Sequence, residues 1–310
     1  MTKPNATWQD LPFHFKQNVV KLLDFDSRCS LQICSKSDDC LIRNSPFIIQ
    51  LFQVTLTIND PSLAQLTACF DQSSGYRHKT QDLEATCATF LSIVSNKNTF
   101  CKKFQIGFNA GTNLSHADQY DLMQRMLESE FQINCEMFCI WTVNSDQNEY
   151  DDRKCLTWKF LQRINPKYLE KLQFTLPKLS EIELQKIIKS KQFKKLKMIN
   201  FGQFHDTLRI KDVFGAEQLR CEIQKMTADE TWDLVQNFLD KPDGSFFTVY
   251  TRNELNLTEI LRKFGERYEP RDVQNKYEVL HTKRIKMKTN KRSFLVLEFL
   301  MNTVRGHVRH

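Results

Sequence analysis

The chain has 310 residues, 41% of them hydrophobic, so it can bury a sizeable core, and its length suits one small module plus a larger, elongated one. Gly and Pro number only 8 each, which excludes collagen-like sequence and argues against long disordered stretches. Net charge is +7, and residues 271–310 hold ten Lys or Arg against three Asp or Glu, so the last forty residues carry the whole excess and the rest is close to neutral.

No apolar run approaches the roughly 20 residues that a membrane-spanning helix needs, and the first ten residues contain no apolar signal core. The expectation is a soluble protein of the cytoplasm, the nucleus or both, with no membrane partner. The ten cysteines fit a reducing compartment. They form no C-x-x-C pair and none is followed by a histidine pair at zinc spacing, so no metal is expected. Cys135 and Cys139 lie in an apolar run and read as small buried hydrophobes.

Leu11-Pro12 opens the first predicted helix, which runs to about Leu23. Asp10 can cap it, and Pro12 suits a first turn whose N–H groups have no helical partner. Phe15, Val19, Leu22 and Leu23 recur at helical spacing and form one apolar stripe. Residues 24–27 are a polar break that can cap a second short helix, with Leu31 and Cys34 on one side. Residues 35–39 are a second polar break, followed by Leu41, Ile42 and Pro46. Three helices in about forty residues bury little surface alone, so this unit needs a partner.

The ungapped run Leu11-Pro12, Val19, Leu23-Asp24, Leu31, Cys34-Ser35-Lys36 and Leu41-Ile42 resembles the F-box pattern. Ser27-Arg28, Leu31, Cys34-Ser35-Lys36, Asp38 and Ser45-Pro46 look like the variant found in large nematode F-box families, where an FTH domain follows. Many F-boxes have Trp four residues after the position of Cys34; this chain has Asp38, which removes a core aromatic. The resemblance implies a module at residues 1–46 that binds a Skp-type adaptor, and through it a cullin. The implied contacts are Leu11, Pro12, Val19, Val20, Leu23, Leu31 and Cys34.

From residue 47 onward the pattern changes. Strand-like runs are predicted at 52–58, 104–108, 137–143, 169–174, 196–201, 218–223 and 246–250. Helical patterns lie between them at 82–94, 116–127, 180–188, 227–239 and 256–264. Thr227-Ala228-Asp229-Glu230 is a capping-box match. Alternating strands and helices predict an α/β fold of stacked βα units, either a closed or doubly wound domain or an open leucine-rich-repeat-like solenoid. The phrase Leu169-x-x-Leu172-x-Phe174, echoed by Phe193-x-x-Leu196-x-Met198, favours the irregular solenoid.

Residues 47–310 also resemble the FTH domain, on Asn165-Pro166-x-Tyr168-Leu169-Glu170 and on the 226–239 segment after a strand. That resemblance implies recognition of a target protein and no catalysis.

The carboxy-terminal segment reads as a hairpin. Arg284, Lys286 and Lys288 alternate with Ile285 and Met287, Thr289-Asn290-Lys291 turns the chain, and 294–300 is an apolar return strand. The lysines protect an edge from further pairing, or form a patch for an acidic partner, protein or RNA. The near-neutral remainder argues against nucleic acid.

No catalytic constellation is found. There is no Gly-rich phosphate loop and no G-x-S-x-G elbow. His205-Asp206 reads as a surface turn, and Asp151-Asp152 and Asp38-Asp39 as solvated loop or cap carboxylates. No cofactor site is expected. Phe104 and Phe108 beside Lys103 could mimic a base-stacking platform, but their spacing fits a core better. The reading as a whole is a non-catalytic substrate adaptor of an SCF-type ubiquitin ligase.

Overall fold

The computed structural model describes residues 7–23, 25–56, 63–69, 77–109, 121, 124–143, 156–175, 179–205, 207–269, 275 and 277–310. Compact packing divides the chain into two units, residues 1–136 with 163–165 and residues 137–162 with 166–310. The fold is mixed α/β with open strand orders.

The first unit begins with a single 3-10 turn, Trp8–Asp10, and three helices, α1 (Phe13–Leu22), α2 (Phe25–Gln32) and α3 (Lys36–Asn44). Strands β1 (Phe47–Leu56), β2 (Leu63–Cys69) and β3 (Arg77–Asp82) form an antiparallel meander. Helix α4 (Leu83–Val94) then carries the chain back to β4 (Thr99–Asn109), which pairs parallel with β1. Asp82 starts α4 by accepting from the Ala85 N–H at 2.7 Å. The unit's core is aromatic: Phe52 of β1, Phe90 of α4 and Phe104 of β4 lie with ring centroids 5.9 Å apart. Phe104 is fully buried, so it serves packing and not a stacking platform.

Strand β5 (Asn134–Val143) crosses the boundary between the units. In the second unit it pairs parallel with β6 (Lys171–Thr175), which is followed in order by β7 (Met198–His205), β8 (Gln218–Ile223) and β9 (Phe246–Thr251), all parallel. Helices α5 (Leu156–Arg163), α6 (Glu181–Ile188) and α7 (Ala228–Phe238) make three of the crossovers. Helix α8 (Leu257–Lys263) precedes an antiparallel set, β10 (His281–Lys286), β11 (Phe294–Leu300) and β12 (Thr303–Arg309). β12 pairs antiparallel with β9, which gives the order β10-β11-β12-β9-β8-β7-β6-β5.

The expected strands appear, most with shifted ends, and the capping box is present: Thr227 N–H donates to Glu230 at 2.8 Å and Glu230 N–H to Thr227 Oγ1 at 3.2 Å. Of the helix expected over 116–127, residues 121 and 124–128 are seen to be helical; the others lie outside the described residues, as do Asp151-Asp152 and Asp206. Sequence reading passed over β2, β3, β12 and α5. β3 contains no apolar residue at all (Arg-His-Lys-Thr-Gln-Asp), so periodicity had nothing to register.

Candidate docking surface

Two apolar faces of α1 compete for the core. Lys16, Val20 and Leu23 are spaced i, i+4, i+7, and this face turns inward. Val20 is fully buried and packs with Leu41 and Ile42 of α3, while Trp8, Leu23 and Leu31 close over them. Lys16 is buried along its stem; its Nζ lies over the Trp8 ring and donates to the Gln9 carbonyl at 3.0 Å.

Of the apolar stripe read from sequence, Phe15, Val19 and Leu22 turn outward, while Leu23 packs inward. Pro12 and Phe15 are exposed, Val19 is half-buried, and Leu22 is 87% exposed. These four positions share one side of α1 at spacings of 3, 4 and 3. Ile33, at the end of α2, is 86% exposed, and Phe13 is 54% exposed. That is a large amount of bare hydrocarbon for a three-helix unit.

Of the expected adaptor contacts, Pro12 and Cys34 are exposed, and Leu11 and Val19 are half-buried. Leu23 and Leu31 pack on the internal cluster, and Val20 belongs to it. Phe13, Leu22 and Ile33 went unnamed as contacts. Their sequence signal was only hydrophobicity, which does not distinguish a core face from a docking face.

The helix starts also differ from expectation. Asp10 caps the 3-10 turn and not α1: its carboxylate accepts from Thr7 N–H at 2.9 Å and Thr7 Oγ1 at 2.6 Å. These bonds hold the Asp10 carboxyl below its usual range. The polar break at residues 35–39 is the start of α3. Ser35 is the N-cap of α3, accepting from Asp38 N–H at 3.0 Å, and Asp38 and Asp39 form its acidic first turn, where the helix dipole favours them. Asp38 is buried. The Trp8 indole N–H donates to it at 2.8 Å and Ser35 Oγ at 2.7 Å, and these bonds, the first foremost, lower its pKa.

At the other end of the chain, Arg284, Lys286 and Lys288 all project from one exposed face of β10 and the turn after it. β10 stands at the end of the strand order. Lys288 pairs with Asp240 at 3.4 Å. The opposite face of β10 is internally paired: Lys283 and His281 each reach Glu266 at 2.6 Å, and the Lys283 bond is the main cause of that carboxyl's lowered pKa. Cys135 and Cys139 are buried, and desolvation raises the Cys135 thiol well above its ordinary value. Among the described residues no cluster of His, Cys, Asp or Glu is built to hold a metal ion.

A family model of the FTH domain matches residues 117–267, just under half of the chain. An uncharacterized F-box protein of Caenorhabditis elegans is 35% identical over 80 aligned residues, which take in 23% of this chain. In these parts the chain is similar to F-box/FTH proteins of the nematode type. The matched FTH span is narrower than the 47–310 over which the resemblance was read. The chain spans about a fifth of the length of the curated relative it matches. No solved structure matches the chain.

Proposed function

We propose that this chain is a substrate-recognition subunit of an SCF-type ubiquitin ligase, with residues 1–46 as the F-box and residues 47–310 as the target-binding part. The outward stripe of α1 is the observation that carries this reading. Leu11, Pro12, Val19 and Cys34, with Phe15, Leu22 and Ile33, would meet a Skp-type adaptor, and a cullin through it. Val20, Leu23 and Leu31 would act from beneath by holding the three helices in place. The parallel series β5 to β9, in which each strand neighbours its predecessor, favours a leucine-rich-repeat-like solenoid as the target-binding frame.

The chain would carry out no chemistry itself. Ubiquitin transfer would be accelerated by raising the effective concentration of the target at the ligase. Such work belongs in the cytoplasm or nucleus. No described helix is long and apolar enough to cross a membrane.

Co-purification of the full chain with a Skp-type adaptor tests the proposal. A stoichiometric complex is expected, weakened by Leu11→Ala with Pro12→Ala. Absence of any complex with the intact chain, or equal capture by the double variant, overturns it. A second reading rests on the basic face of β10. Arg284 and Lys286 are exposed there on a terminal strand and would attract an acidic protein segment whether or not a ligase is bound.

A further inference from the structure

A cleft of about 480 Å³ opens in the first unit between the end of α3, the start of β1 and the turn joining α4 to β4. Its walls hold three cations, Arg28, Arg43 and Lys97, and no carboxylate. One hydrophobic side is made by Ile42, Phe47 and Ile93.

Arg28 is the unusual member, because it is only 6% exposed. Its Nε donates to the Leu23 carbonyl at 3.1 Å and its Nη1 to the Pro46 carbonyl at 3.0 Å, and the guanidinium lies 4.7 Å from the centre of the Phe47 ring. All three partners are neutral. Burial lowers its pKa, and among the described residues no opposing charge offsets the effect, yet an arginine keeps its proton. Among the described residues, Arg43 pairs with Asp39 at 2.8 Å, whereas neither Arg28 nor Lys97 has a carboxylate partner. A buried cation of this kind is stabilised most by a delocalised oxyanion, whose two oxygens match the guanidinium fork.

The walls are tied together before any ligand arrives. Phe47 N–H donates to the Asn98 carbonyl at 3.1 Å, and Asn98 Nδ2 donates to the Arg43 carbonyl at 2.7 Å. The α3–β1 junction is thereby fixed to the α4–β4 turn. The volume lies in the range of small-molecule sites and far exceeds what one phosphate or carboxylate group fills.

We propose that this cleft binds a small organic oxyanion, its carboxylate or phosphate group against Arg28 and Lys97 and its apolar body on Ile42, Phe47 and Ile93. The proposal stands whether or not the helical module binds an adaptor.

The test uses the full chain labelled at isoleucine methyl groups, so that Ile42 and Ile93 report from the cleft wall. It is titrated separately with phenyl phosphate, benzoate, inorganic phosphate and neutral benzyl alcohol. Saturable shifts at both methyls are expected with phenyl phosphate or benzoate. Inorganic phosphate should bind more weakly than phenyl phosphate, and affinity should fall about tenfold in Lys97→Met, an exposed position where folding is not at stake. Tighter binding of phenyl phosphate identifies a phosphate ligand; equal or tighter binding of benzoate identifies a carboxylate. No saturable shift at either methyl overturns the proposal. So does equal response to benzyl alcohol, inorganic phosphate binding as tightly as phenyl phosphate, or undiminished affinity in Lys97→Met. Arg28→Met, where its methyl spectrum shows a folded protein, is expected to abolish binding.

Discussion

The indole N–H of Trp8 donates to the buried carboxylate of Asp38 at 2.8 Å, across thirty residues of chain. Many F-boxes have a tryptophan at the position of Asp38. Here the aromatic comes from the amino-terminal 3-10 turn and closes over Val20, Leu41 and Ile42, while Asp38 anchors it.

Trp8→Phe should keep most of the packing but remove the donor, leaving Asp38 with Ser35 as its remaining side-chain partner. A loss of about 1–3 kcal/mol is expected for the helical module. Chemical denaturation followed by amide exchange within residues 13–44 would read it; an unchanged module would show that the bond contributes nothing.

Acid should loosen the same module. The Asp38 carboxyl titrates lower in the folded chain than in the unfolded one, mainly because of the Trp8 bond. Between the two values the unfolded chain binds the extra proton, so stability rises with pH there. The contribution is complete well above about 3.9, the ordinary aspartate value, and is lost as pH falls below it. Glu266, held low chiefly by Lys283, should behave likewise at the β10 end. Trp8→Phe should flatten the acid dependence of the module and leave that of the Glu266 region unchanged.

Leu22→Ser and Ile33→Ser test surface against core. Both side chains are more than four-fifths exposed, so stability should change by no more than about 0.5 kcal/mol. Adaptor capture should nevertheless weaken. Leu41→Ala, in the internal cluster, should instead cost about 2–5 kcal/mol of module stability.

Glu183 is fully buried, and its Oε1 accepts from Trp158 N–H at 2.8 Å, capping the first turn of α5 from the side of α6. Glu183→Ala removes that cap and opens a cavity. A loss of about 2–4 kcal/mol is expected, with amide exchange at Trp158 among the most accelerated. Normal protection at Trp158 in the variant would refute the capping role.

Gly306 of β12 lies opposite Phe247 of β9, and a side-chain carbon at 306 would collide with the Phe247 ring. That ring is fully buried with Phe238 4.7 Å behind it, so it cannot retreat. Gly306→Val should cost about 1–3 kcal/mol through overpacking, and Phe247→Ala in the same chain should recover part of it. Lack of recovery would place the strain elsewhere.

Much of the secondary structure was legible because caps and periodicity are local. Asp82, Ser180, Thr227 and Asn256 each begin a helix as N-caps, and β8 runs over residues 218–223 as read. β3 was illegible because a polar strand stabilised by its neighbour has no pattern of its own. The cleft was illegible too: Arg28 and Lys97 are sixty-nine positions apart, and nothing near either one announces the other.

The sequence by itself determined which residues are apolar, where α4, α6, α7 and α8 start, and the F-box and FTH resemblances. Only the tertiary structure decided which face of α1 is spent on the core. Phe15, Val19 and Leu22 form as good a stripe as Lys16, Val20 and Leu23, and side-chain chemistry favours the first. The second turns inward because Leu41 and Ile42 of α3 and the Trp8–Asp38 anchor meet it there, and a lysine stem can be buried once its ammonium reaches the Gln9 carbonyl. Burial is settled by which surfaces find partners, and partners distant in the chain are set by the fold.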